Sequence, residues 1–421
     1  MRLMRQSRYL RSPRLPQLPC SRFLFRLSAG LGALSVTAVC ALSVPAPARA
    51  ASPSPAPSSA GDGTGSTSLP PIPLSLGDDA PCTAASNRTA GAATRAQQSL
   101  SLPNAWQLSR GGGITVAVVD TGVSDKAPAL SGRVTAVGDA AADCVGHGTF
   151  VAGLVAAAQT SGTDVHGVAP GARVLAVRGT DERGTASAER VADGIRAAVD
   201  NGAQVITVSA ALTTGEAELT AAVRYATEHQ VLVVAAAAPD IRPRSGEAAA
   251  QYWPASAPGA LSVVGVTADG SVLASAASVT GADLAAPGGP VVGIGPRGSG
   301  HYIAAGSSAA AALAAGAAAL VRAYHPDLTA AETAERLTGS AAPTGGAPRL
   351  DPYAAVSMVP PGSAPRAAAP STAPLHLPEV STAPQDRALL AAGAMALLML
   401  VVAAAVVVIP RGRARGWRPP N

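Results

Sequence analysis

Short apolar runs alternate with longer alanine-rich windows through the middle of the chain. The runs are 114–119 (ITVAVV), 173–177 (RVLAV), 204–208 (QVITV), 231–236 (VLVVAA) and 261–266 (LSVVGV). Each is continuous in apolar character rather than alternating, which is the pattern of strands covered on both faces, as in parallel sheets. Parallel neighbours need crossover connections, and 186–201 and 215–229 have the length and spacing of crossover helices. The expected class is α/β, a mostly parallel central sheet with helices on both faces. In such sheets the chemistry gathers at the carboxyl ends of the strands.

The two ends of the chain follow other patterns. Residues 1–26 are arginine-rich and carry no acid, and an apolar run at 27–44 leads to PAPARA, whose Ala48 and Ala50 are the small residues a signal peptidase needs. The expectation is a signal peptide at 1–50, followed by a flexible Pro/Ser/Gly-rich leader at 51–77 that lacks the apolar side chains to offset its ordering entropy. The folded domain is expected over 78–357, and a Pro/Ala-rich linker follows at 358–387. Residues 388–409 contain no charge. At 1.5 Å per residue this stretch reaches about 33 Å, enough for a bilayer core, so a transmembrane helix is expected there. Arg411, Arg413, Arg415 and Arg418 follow it at once. Basic flanks stay on the cytoplasmic side, which makes 410–421 a cytoplasmic tail and puts everything before the span outside.

The formal charge of +5 changes little in this picture. Many arginines lie in the two end segments, and no basic run with interleaved aromatics lies between them, so a nucleic-acid partner is not expected. Of four cysteines, Cys20 and Cys40 fall in the segment to be removed. Cys82 and Cys144 remain. Outside the cytoplasm two cysteines usually pair, with two free thiols as the alternative. A bridge would stabilise by about 4 kcal/mol in the chain-entropy model, less any strain. No set of His, Cys and carboxylate residues has metal-ligand spacing, so neither a metal nor another cofactor is expected.

Three short pieces carry the candidate chemistry. VVDTGV puts Asp120 at the end of the first buried strand, DCVGHGTFVAG puts His147 where a loop enters a helix, and GSSAAAALAAG puts Ser308 at a second such entry. A hydroxyl needs a base to become nucleophilic, and the imidazole needs an acid to fix its tautomer. Asp, His, Ser in that order along the chain is one known order of this triad. An α/β-hydrolase esterase fits poorly, because GSSAA is not G-x-S-x-G and the histidine would have to come last.

On these blocks, together with HGVAPGARVLAVR, the chain resembles the subtilisin-like serine proteases. More narrowly it resembles the mycosins, the membrane-anchored subtilases of type VII secretion systems. A cysteine three residues before His147, an upstream cysteine in an N-terminal extension, the Pro-rich linker and the C-terminal span all fit that subgroup. The resemblance implies Asp120 as acid, His147 as base and Ser308 as nucleophile. It also implies protein or peptide substrates, a link to the type VII machinery, and an extracytoplasmic peptidase domain on a cell membrane. Ser209, Ala210 and Ala211 stand where the family has Ser-Leu-Gly on a substrate-binding edge. The family's oxyanion asparagine falls at Pro239, which has neither a side-chain donor nor a backbone N–H. Only the Ser308 backbone is left as an expected donor. Loss of one such donor costs about 10² to 10³ fold in turnover, the figure known from subtilisin. The alternative implied is a weakly active or inactive scaffold subunit of a secretion complex.

Overall fold

The computed structural model describes residues 68–241, 251–273, 279, 281–359 and 383–416. The expected signal peptide, the leader up to residue 67, most of the linker and the last residues of the tail lie outside them.

Two short turns, α1 (Arg95–Gln98) and α2 (Leu102–Ala105), precede the first strand, β1 (Thr115–Asp120). There follow β2 (Val134–Ala136), α3 (His147–Ala156), β3 (Arg173–Arg178), α4 (Ala188–Asp200), β4 (Val205–Val208), α5 (Glu216–Glu228), β5 (Leu232–Ala236), β6 (Ala260–Val266) and β7 (Leu284–Pro287). A hairpin of β8 (Val291–Ile294) and β9 (His301–Ala304) leads into α6 (Ser307–Tyr324), then α7 (Ala330–Gly339), α8 (Pro352–Ser357) and α9 (Ala383–Ala414). The central sheet has seven strands in the order β2-β3-β1-β4-β5-β6-β7, all parallel. Strand order reverses at β1, with β3 on one side and β4 on the other, and the crevice at such a point is where α/β sheets place their sites.

Alternate residues of the continuous runs face opposite layers, as the period of a strand requires. Val116 and Val118 belong to the core beneath α3 and α6, whereas Ala117 and Val119 pack with α4 and α5. Both sets are buried, so the run reads as unbroken. Helix α4 buries Val191, Ile195 and Val199 on one stripe, at about 1.5–3 kcal/mol for each fully buried side chain. Its start is set by Ser187, whose hydroxyl accepts the Arg190 N–H.

Helix α6 explains its own alanine content. It is buried from Ser307 to Arg322 and packs across β1, β4, β5, β6 and β7, so methyl-sized side chains are what fit. Arg322 enters the interior because its guanidinium donates to the carbonyls of Gln204 and Gln230, at 3.0 and 2.8 Å. Helix α9 is the opposite case. Its apolar stretch is not buried in the protein, and the helix is long and apolar enough to cross a membrane.

Residues 68–77 differ from the expected leader. Ile72 N–H donates to Ile303 O and Ile303 N–H to Pro70 O, both at 3.0 Å, while Leu76 N–H donates to Arg183 O at 2.8 Å. Ile72 is buried. Composition misleads here because a few apolar residues, PIPLSL, are enough to seat an extended segment whose backbone finds partners on the domain.

Candidate active site

Asp120 ends β1, buried and next to the strand-order reversal. His147 is the first residue of α3, and the geometry of its loop accounts for the glycines around it. Gly146 has φ of +95°, a left-handed conformation that other residues adopt only with strain. A Cβ on Gly148 would collide with the Gly122 carbonyl. Asp143 then holds the turn. Its Oδ1 accepts from Gly146 N–H at 2.7 Å and Thr121 Oγ1 at 2.9 Å, and its Oδ2 from Thr149 N–H at 2.8 Å and Thr149 Oγ1 at 2.6 Å. Burial pushes the Asp143 carboxyl above its ordinary value, against these donors. Cys144, the next residue, is disulfide-bonded to Cys82. Thr83 N–H also donates to Cys144 O at 2.9 Å, so the N-terminal extension is fixed beside this loop.

His147 Nδ1 lies 2.9 Å from both carboxylate oxygens of Asp120. Its Nε2 lies 3.3 Å from Ser308 Oγ, near the start of α6. Histidine and serine are both buried. Burial is the largest influence on the imidazole and favours the neutral form, yet the charges of Asp120, Asp240 and Asp143 and the hydrogen bond to Asp120 outweigh it, and the pKa rises to about 9. Asp120 is also desolvated, but the charge and hydrogen bond of His147 hold it below its ordinary value. A buried hydroxyl beside an imidazole that is oriented by a carboxylate is the arrangement general-base activation of a serine requires.

The oxyanion side departs from expectation. Pro239 lines the cleft but does not decide its chemistry. The next residue does. Asp240 Oδ1 accepts the Ser308 N–H at 3.0 Å, and Oδ2 accepts the Ser308 hydroxyl in a short contact. The same Oδ2 lies 3.9 Å from His147 Nε2. The Ser308 N–H expected to face an oxyanion is therefore engaged by a carboxylate. The Asp240 side chain is 8% exposed, and desolvation raises its pKa against the opposing influence of His147 and Ser308. A Cβ on Gly306 would strike this side chain, so glycine there makes room for it.

Ser209, Ala210 and Ala211 follow β4 and line the same cleft as Asp120, His147, Pro239 and Asp240. Part of the edge beyond them is taken, since Leu212 and Trp253 exchange backbone hydrogen bonds at 2.8 and 2.9 Å. Leu74, from the segment expected to be leader, also lines the cleft. Sequence reasoning missed Asp143, Asp240 and Leu74. Asp143 carried a signal, as a carboxylate just before a glycine-flanked helix start; Asp240 carried one only as an acid four residues beyond a buried strand.

Comparison with known proteins agrees with this geometry. The model of the subtilase family matches residues 111–359, more than half of the chain. Mycosin-3 of Mycobacterium tuberculosis is 31% identical over 384 residues, covering 73% of this chain and 82% of that protein. Mycosin-4 of the same organism is 32% identical over 308 residues, covering 62% and 66%. Thermitase of Thermoactinomyces vulgaris is 40% identical over 146 residues, covering 33% and 52%. The chain thus spans about two thirds of mycosin-4 and about half of thermitase. Among solved structures, the MycP3 protease from the type VII (ESX-3) secretion system aligns with a TM-score of 0.57 at 32% identity, covering 69% of this chain and 98% of that one. MycP1 from Mycobacterium smegmatis gives 0.57 at 26%, covering 69% and 93%. The chain belongs to the subtilase family and has the subtilisin-like fold.

Proposed function

We propose that this subtilase-family chain is a membrane-anchored serine endopeptidase that acts outside the cytoplasm on exported or membrane proteins, in connection with type VII secretion. The observation that carries the reading is the Asp120, His147, Ser308 array, buried at the carboxyl end of the sheet where strand order reverses. In the proposed roles Ser308 Oγ attacks the scissile carbonyl carbon, His147 Nε2 takes its proton and later gives it to the leaving amine, and Asp120 stabilises the imidazolium between these steps. Ser209 to Ala211 supply backbone beside which an extended substrate can lie. The link to secretion draws on the names of the mycosin relatives, and the anchor on the exposed apolar α9. The Cys82–Cys144 bond accords with an oxidising compartment.

A second reading draws on Asp240. A carboxylate on the Ser308 N–H and hydroxyl repels the negative charge of a tetrahedral intermediate, as expected of a subunit that keeps the fold and gives up turnover. One experiment separates the two. The full-length protein in detergent is exposed to a labelled fluorophosphonate, with Ser308→Ala as the control. Covalent labelling that disappears in the control supports the peptidase; no labelling of the native protein across pH 4–10 supports the scaffold.

A further inference from the structure

Four groups form one hydrogen-bonded line: Asp120, His147, Ser308 and Asp240. Resting on the peptidase reading above, we propose that Asp240 is a catalytic residue of this site, the oxyanion donor in its neutral acid form, exchanging its proton with His147 through the Ser308 hydroxyl.

The geometry gives the line two polarities. In one, the imidazolium donates from Nε2 to Ser308 Oγ, and the Ser308 hydroxyl donates to the Asp240 carboxylate. The serine then points away from its base and no oxyanion donor is free. Moving each proton one step reverses both bonds: Nε2 gives its proton to Oγ, and Oγ gives its own to Asp240 Oδ2. Now the hydroxyl donates to a neutral imidazole and Asp240 is a carboxylic acid with an O–H to offer. Both forms hold the same number of protons, so the exchange between them does not itself depend on pH. The first is latent and the second competent.

In the competent form a substrate carbonyl oxygen enters between Ser308 N–H and Asp240. Oγ bonds to the carbonyl carbon as its proton passes to His147, and the carbonyl π pair becomes an oxyanion that accepts from Ser308 N–H and the Asp240 O–H. Collapse re-forms the carbonyl and breaks the bond to the amine, which leaves with the proton from His147. Asp240 ends with the proton it began with. The acyl group is then removed by water along the same path. A neutral carboxylic acid can supply such a donor where an apolar, buried setting keeps it protonated.

Among the described residues, the charged and titratable groups acting on Asp240 are His147 from α3 and Asp120 from β1, while Asp143 from the loop before α3 acts on His147. Two carboxylates and burial favour keeping a proton on the Asp240–His147 pair. The N-terminus of α6 favours the carboxylate and so the latent form. The simpler role for Asp240, a cap on α6, gives it no effect on the shape of a pH profile.

The test is the pH dependence of kcat/KM on a chromogenic peptide ester, with fluorophosphonate labelling of Ser308 in parallel. The full-length native protein, Asp240→Asn and Asp240→Ala are compared. For the native protein a bell is expected. A second proton on the pair leaves His147 charged and gives the acid limb; loss of the shared proton leaves Asp240 as a carboxylate and gives the basic limb. Asn donates at every pH, so Asp240→Asn should lose the basic limb and hold a plateau above it. Asp240→Ala should also lack that limb, but with kcat at least about tenfold below Asp240→Asn, because it has one oxyanion donor fewer. A limb is a change of shape, so partial misfolding cannot imitate it. Equal kcat for Asp240→Ala and Asp240→Asn, or a native profile without a basic limb, overturns the role of Asp240 and leaves the peptidase reading standing wherever Ser308 still labels. Failure of Ser308 to label in all three proteins at every pH overturns both.

Discussion

At the scale of single residues, Ser308 has a base on one side and a carboxylate on the other, and His147 carries the consequence. Its pKa of about 9 lies above the ordinary 6.5 for histidine, so the folded state holds this proton more tightly than the unfolded chain does. The resulting stabilisation is fully present below about pH 6.5 and is lost as the pH rises through about 9. Thermal melts should therefore show the midpoint falling between pH 7 and 9.5 in the native protein, and a shallower fall in His147→Asn, which has no proton to lose. Equal slopes would show that His147 does not hold its proton as described. The same scale marks what was legible in the sequence. Asp120, His147 and Ser308 stand in blocks whose small flanking residues announce them, and they meet in the structure. Asp240 was hidden by counting along the chain: the count ends on Pro239, whereas the side chain that reaches Ser308 belongs to the next residue. Which way a side chain points after a strand is a matter of backbone path, and apolar periodicity carries no information about it.

The elements deliver these residues, and the entry to α3 is the most constrained of them. Gly148 stands under the Gly122 carbonyl, so in Gly148→Ala either the loop after β1 or the first turn of α3 has to move. Overpacking of this kind costs about 1–3 kcal/mol. Because the displaced turn carries His147, kcat should fall at least about tenfold with a smaller change in KM, since a misplaced base acts on the chemical step rather than on binding. Steady-state kinetics on a peptide ester check this; a change in KM alone would mean the turn had absorbed the methyl. The strands and crossover helices were legible because layers on both faces leave a continuous apolar signal. β2, β7 and the β8–β9 hairpin were not: β2 has three residues and is mostly exposed, and LAAP, VVGI and HYIA carry alanine, proline, glycine or histidine that dilute the β-branched signal marking the equally short β4, VITV. Replacing both Cys82 and Cys144 by serine should lower stability by up to about 4 kcal/mol, the loop-closure value. It should also loosen the N-terminal extension, which limited proteolysis between residues 78 and 90 would detect; unchanged cleavage would mean that the Thr83 hydrogen bonds suffice.

For the whole molecule, the membrane-anchored reading proposed above raises the question of which side of a membrane the cleft faces. Among the described residues, two helices are long and apolar enough to span a bilayer, and burial separates them: α6 lies inside the protein, whereas α9 exposes its apolar surface along its length. An uncovered helix of 32 residues reaches about 48 Å, longer than a bilayer core of about 30 Å, so in a spanning α9 the ends would project into the headgroup regions or beyond. The uncharged 388–409 stretch matches the core, and the last turns carry Arg411 and Arg413 out of it, with Pro410 at the junction. The twelve residues before the uncharged stretch hold two acids and one arginine, Glu379, Asp386 and Arg387; the twelve after it hold four arginines and no acid. On the proposal that α9 spans a membrane, that asymmetry predicts the orientation, because basic residues are retained on the cytoplasmic side. A reporter active only outside the cytoplasm should therefore work when fused at Ser363 and fail after Trp417, and a reporter active only in the cytoplasm should do the reverse. Replacing Arg411, Arg413, Arg415 and Arg418 with asparagine should weaken the preference and yield a mixed population, while leaving the protein in the membrane fraction after alkaline extraction. If the Ser363 fusion were cytoplasmic in the unaltered chain, the cleft would face the cytoplasm, and extracytoplasmic substrates and an oxidising setting for the disulfide would both have to be given up.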